Sequence, residues 1–247
     1  MIGIFDSGIG GLTVYKQIRA RAPQADIVYF GDTINAPYGT KSPEAVGALT
    51  ILAIEKLIKH GATQIVSACN SVSASIAYPL FQMIDMDSHS VIEMVPPTIN
   101  FFRASHKQGR ILLVATQLTI QSGMYQQAFD SLGMGIDALA ITELAGAIEA
   151  GKTDTDLKKI IEDSLRKKDM SNIDILILGC THYPLVEHLF REVIGEEIEI
   201  YDPAIAVAER VVSQFDIEGT GIDTFIFSQE NAVTKKSLEN MLVENKK

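Results

Sequence analysis

The sequence predicts an α/β protein of two similar lobes, each a mainly parallel sheet flanked by helices. Three observations carry that expectation. Short apolar runs of strand length alternate with longer segments of helical spacing, the pattern of parallel strands joined by helical crossovers. The runs Ile2 to Phe5, Ile27 to Phe30, Gln64 to Val66, Ile111 to Val114 and Ile175 to Leu178 are nearly continuous in hydrophobicity, as strands covered on both faces are. At 247 residues the chain exceeds one average domain, which favours two modest lobes over one barrel.

Between these runs, Pro43 to Lys59 reads as a helix ending at His60-Gly61, and Thr119 to Ser131 as a second, stopping before Gly133. Pro96-Pro97 and the polar stretch from Ser105 to Gly109 punctuate the pattern and read as a crossing between lobes. No short repeat occurs, but IVSACNSVSA around Cys69 is echoed by ILGCTHYPL around Cys180. In both, an apolar strand ends in a small residue, then Cys, then polar residues.

Hydrophobic residues form 47 % of the chain and charged residues 21 %, a balance that suits a compact enzyme and excludes disorder. The net charge of -10 repels a phosphate backbone, and only the short run Arg166 to Lys168 is basic, so nucleic acid is not an expected partner. No apolar stretch approaches a membrane span, and Met1 to Phe5 lack a signal peptide's basic start, so a cytoplasmic protein is expected.

Ligands of open parallel sheets bind beyond the carboxyl ends of the strands, where Cys69 and Cys180 both fall. A nearby helix N-terminus is expected to favour each thiolate. A lone Cys reads more readily as a small buried hydrophobe, but the matched pair suits a two-sided proton exchange, one thiolate taking a proton while a thiol returns one. Asp6 and Ser7 follow the first strand, placing Asp6 at the same edge as Cys69 unless it merely caps a helix; Gly8, Gly10 and Gly11 would let backbone approach a ligand. The third glycine or alanine of a dinucleotide fingerprint is missing at Thr13. His182, two residues past Cys180, can exchange protons with it. His60, His89, His106 and His188 read as ordinary polar or surface positions, and two distant cysteines lack zinc-ligand spacing. The turn-rich loop Gly31 to Ser42 should line the same edge, and Thr116, Thr119 and Ser122 supply hydroxyls and a helix start suited to a carboxylate, or simply to capping.

The motifs DSGIGGLTV, GDTINAPYG, ACNSVSA, ATQLTIQSGMY, IEAG and LGCTHYPL, in this order, resemble those of the glutamate racemases over Asp6 to about Asp202. The resemblance implies two α/β lobes, pseudo-symmetric about a site between them: residues 1–96 with 206–247, and residues 97–205. It makes Cys69 and Cys180 the catalytic acid/base pair, associates Asp6 with Cys69 and His182 with Cys180, and sets Glu149 behind His182. Ser7, Tyr38, Gly39, Asn70, Ser71, Thr116, Thr119 and Thr181 map to substrate contacts, as do Asp6 and His182. Neither a cofactor nor a metal is implied; glutamate is the substrate, D-glutamate for peptidoglycan the product, and a homodimer the expected assembly. The chain departs from the family pattern at Asn35, usually Arg, at Ser71, usually Thr, in ITELAG, which lacks the frequent Cys-Pro, and in FSQEN near the end. A related racemase of aspartate or another small amino acid, and a catalytically silent amino-acid-binding protein, are the alternatives.

Overall fold

The computed structural model describes residues 1–75, 88–105, 107 and 109–244, which leaves His106 outside the described residues. The first sheet orders its strands β4-β3-β1-β2-β9, all parallel: β1 (Ile2–Asp6), β2 (Ile27–Gly31), β3 (Gln64–Ser67), β4 (Val91–Glu93) and β9 (Asp223–Phe227). The second orders β6-β5-β7-β8, also parallel: β5 (Ile111–Ala115), β6 (Ile136–Ala140), β7 (Ile175–Gly179) and β8 (Glu199–Tyr201). The expected two-sheet α/β architecture is thus present.

The five apolar runs of the sequence are the five interior strands, each extended by one residue at its carboxyl end. The four strands the pattern did not reveal are the four sheet edges. Edge strands are covered less completely, so they carry polar residues, as in IDALA and EIY, and lose the continuous apolar signature.

Helix α1 (Leu12–Arg21) follows β1, and α2 (Pro43–Lys59) has the expected bounds, with Ser42 capping the Ala45 amide and Pro43 opening the first turn. The short α3 (Asn70–Ser73) follows β3. Pro96 and Pro97 are not an irregular crossing; they lie in the first turn of α4 (Val95–Ser105), where the absent N–H groups have no intrahelical acceptor to miss. The expected helix from Thr119 to Ser131 is two helices, α5 (Gln117–Ser122) and α6 (Met124–Asp130), parted at Gly123, whose φ of 67° is left-handed. The cap of α5 is Thr116, not Thr119. Among the described residues, the remaining α-helices are α7 (Leu144–Glu149), α8 (Asp154–Leu165), α9 (Glu187–Ile194), α10 (Ala204–Gln214) and α11 (Ala232–Glu244). Among the described residues, no helix is long and apolar enough to cross a membrane.

One continuous apolar cluster joins the sheets, running from Ile2, Ile4 and Tyr29 to Leu112, Leu176 and Leu178. It brings the carboxyl edges of the two sheets into one place.

Candidate active site

Because β1, β3, β5 and β7 end at Asp6, Ser67, Ala115 and Gly179, the residues just beyond them converge. Ser7, Tyr38, Gly39, Cys69, Asn70, Ser71, Thr116, Cys180, Thr181 and His182 line one cavity with Pro37 and Ala145. The cavity leaves room for about one water molecule. Of the residues singled out from sequence, Asp6, Glu149 and Thr119 stand behind this lining rather than in it.

On one side is Cys180. Its Sγ lies 3.8 Å from His182 Nδ1, and His182 Nε2 lies 2.6 Å from Glu149 Oε1. The same carboxylate oxygen accepts the Ile9 amide at 2.7 Å, tying the loop after β1 to α7. Burial of the His182 ring works against its charge, yet the Cys180 sulfur and the Glu149 carboxylate outweigh it and hold the ring well above the usual imidazole range. These neighbours therefore favour the protonated ring.

On the other side is Cys69, whose Sγ donates to Ser7 Oγ at 3.6 Å. Burial first, and then the Asp6 carboxylate, push its thiol up to about 12. This reverses the expected thiolate stabilisation at Cys69: α3 is a single turn, and desolvation outweighs what its amides offer. Asp6 acts on Cys69 through space. Its oxygens accept the Gly8 amide at 2.9 Å and the Thr181 hydroxyl at 3.0 Å, so Asp6 caps no helix.

The glycines after β1 make room for protein rather than for ligand. A Cβ on Gly8 would lie 1.7 Å from Glu149 Oε1, and one on Gly10 2.5 Å from His182 Nδ1. Asp32 was not singled out, although it too follows a strand. Buried at the end of β2, it accepts the Tyr38 hydroxyl at 2.6 Å and both of its oxygens accept Asn35 Nδ2, which fixes the loop that carries Tyr38 and Gly39. Across the sheets, the hydroxyls of Ser71 and Thr116 are 3.0 Å apart, and those of Thr116 and Thr119 3.1 Å. His60 closes α2 and His188 pairs with Asp154 at the surface, both away from the cavity.

Comparison with known proteins identifies the family and the fold. The family model for Asp/Glu/hydantoin racemases matches residues 2–211. The chain belongs to this family. A glutamate racemase of Geobacter metallireducens is 37 % identical over 86 % of this chain and 78 % of its own. Among solved structures, glutamate racemase from Bacillus anthracis superimposes on this racemase with a TM-score of 0.85 at 29 % identity, covering 98 % of this chain and 94 % of the other. The enzyme of Francisella tularensis, solved with D-glutamate, gives 0.84 at 26 % identity, covering 98 % and 93 %. The resemblance read from the motifs, and the two-sheet fold it implied, are borne out.

Proposed function

We propose that this racemase interconverts L- and D-glutamate with Cys69 and Cys180 as opposed acid and base. The observation that carries the reading is that the two cysteines, one from each sheet, line a single cavity in a member of this family. Racemisation removes the α-proton from one face of the carbon and returns a proton to the other, which two groups on opposite walls can do. Cys69, kept as a thiol by burial and by Asp6, gives its proton. Cys180, beside the charged His182, takes the α-proton as its thiolate. After one turnover Cys69 is the thiolate and Cys180 the thiol, so the reverse reaction finds the roles exchanged.

Ser7, Asn70, Ser71 and Thr181 offer donors for the carboxylates and oxygens that can accept from the ammonium group, with the Tyr38-Gly39 loop and Thr116 completing the wall and Thr119 behind it. Asp6, Glu149 and His182 set the charges around the sulfurs. We assign residues 1–96 with 206–247 to one lobe and 97–205 to the other; β9 pairing with β2 supports the return of the C-terminal chain to the first. The cavity is narrow, which supports a cycle in which the lobes part to admit glutamate and close over it. A cytoplasmic homodimer supplying D-glutamate for peptidoglycan completes the reading.

The test is incubation of pure L-glutamate with the protein in heavy water. D-glutamate should appear with solvent deuterium at Cα. Absence of both would favour an amino-acid-binding protein, and faster turnover of L-aspartate would move the substrate assignment. Replacing Cys69 or Cys180 by Ala should lower racemisation on the order of 10³-fold with unchanged circular dichroism; full activity in either variant would refute the pair.

A further inference from the structure

Asn70 opens α3 beside Cys69, and its side chain is buried with 2 % of its surface exposed. The amide is held from one end only. Its Oδ1 accepts the Tyr125 hydroxyl at 2.7 Å, whereas Nδ2 has no hydrogen-bond partner. Leaving a buried amide donor unpaired is unfavourable, so such a group signals a partner that arrives with ligand. Asn70 also lines the cavity between the cysteines, and Tyr125 does not.

Tyr125 reaches Asn70 from the other sheet. It lies in α6, fully buried, and packs in the cluster of Phe102, Ile111, Phe129 and Tyr201. Burial holds its phenol far above the ordinary range, so it keeps its proton, and Thr98 of α4 lies against it. By donating to the amide's oxygen, the phenol leaves Nδ2 on the opposite side of the amide.

We propose that Tyr125 is a positioning residue for racemisation: by donating to Asn70 Oδ1 across the interface of the sheets, it locks the amide in the orientation that presents Nδ2–H to the α-carboxylate of the amino acid. The inference rests on the reading of the cavity as the glutamate site. It deepens that reading by making one donor of the first sheet depend on a side chain of the second, so Asn70 is aligned when the sheets are together. A Phe at position 125 would keep the packing and free the amide to rotate. Half of its orientations then turn an oxygen, and hence a repulsion, toward the carboxylate.

The experiment is a double-mutant cycle on Tyr125→Phe and Asn70→Ala, with KM and kcat measured for both enantiomers. Tyr125→Phe should raise KM about tenfold for L- and D-glutamate alike, the size expected for a misdirected hydrogen bond to a charged group, and change kcat by less than about threefold. In the Asn70→Ala background it should add nothing further. An unchanged KM, or an equal effect of Tyr125→Phe with and without Asn70, overturns the proposal. If the wild-type protein racemises glutamate while either of those results is found, the positioning role fails and the site assignment stands; if the wild type neither racemises nor exchanges deuterium, the site assignment fails. Should Tyr125→Phe not fold, a crystal structure of the wild type with D-glutamate decides. Asn70 Nδ2 must then meet the α-carboxylate while Oδ1 stays on Tyr125, and an amide turned away from the ligand overturns the idea.

Discussion

At Cys69 burial and the Asp6 carboxylate push in the same direction, toward a thiol, whereas at His182 burial opposes charge and the Cys180 sulfur and the Glu149 carboxylate prevail. Desolvation and a carboxylate neighbour are common to both positions; what differs is the sign of the group's own charge, since a carboxylate disfavours a thiolate and favours an imidazolium. Glu93 shows the same force without a compensating cation. It ends β4 opposite Ser67 of β3, is buried, and burial lifts its carboxyl to about 7 from an ordinary value of 4.5, with only the Ser73 hydroxyl pulling the other way. Between those values the folded protein keeps a proton that the unfolded chain has released, so stability should fall as pH rises through this window. Glu93→Gln removes the titration. Its melting temperature should be flatter than that of the wild type between about pH 5 and pH 8, and at pH 8 higher by roughly 6 to 12 °C, since a shift of this size corresponds to about 3 kcal/mol. Parallel pH profiles for the two proteins would show that Glu93 ionises freely in the native state.

The order of elements reflects how completely each is covered. Interior strands are apolar along their length and announce themselves in the sequence; Val91–Glu93, Ile136–Ala140, Glu199–Tyr201 and Asp223–Phe227 sit at sheet edges and do not. The edge strand β9 is secured by side chains of α1 as well as by its pairing with β2. Tyr15 donates to Asp223 Oδ2 at 2.7 Å, and Arg19 forms an ion pair with Asp223 while also donating to the carbonyls of Ala22 and Pro23. The Arg19 side chain is 12 % exposed, so removing its carboxylate partner strands a mostly buried cation. Asp223→Ala should therefore destabilise the protein by about 3 kcal/mol and lower the melting temperature by roughly 8 °C. A drop under about 2 °C would mean that the pairing with β2 alone anchors the strand.

The molecule as a whole is held at the cavity by polar links between elements distant in sequence: Thr181 to Asp6, Glu149 to the Ile9 amide, Ser71 to Thr116 and Tyr125 to Asn70. A ligand enclosed between the sheets bridges both of them and should stabilise the folded state. At about 100 times its dissociation constant, D-glutamate should add ~2.7 kcal/mol and raise the melting temperature by roughly 5 to 10 °C. The variant with both cysteines changed to Ala should retain most of that shift, because the donors that hold the carboxylates remain. Equal melting curves with and without ligand, in a protein that turns glutamate over, would place binding outside the closed cleft.

By itself the sequence determined the family, most of the side chains that gather at one cavity, and which runs form the sheet interiors. The last two are local properties: a reactive side chain next to an apolar strand, and hydrophobicity continuous over four or five residues. Only the tertiary structure decided how those residues act on one another. That Thr181 binds the end of β1 and Glu149 the loop after it, that Tyr125 faces Asn70, and that Cys69 is held toward its thiol all depend on what packs over each group, and chain segments far apart supply that cover. Desolvation and long-range hydrogen bonds are set by three-dimensional neighbours, which a one-dimensional pattern does not contain.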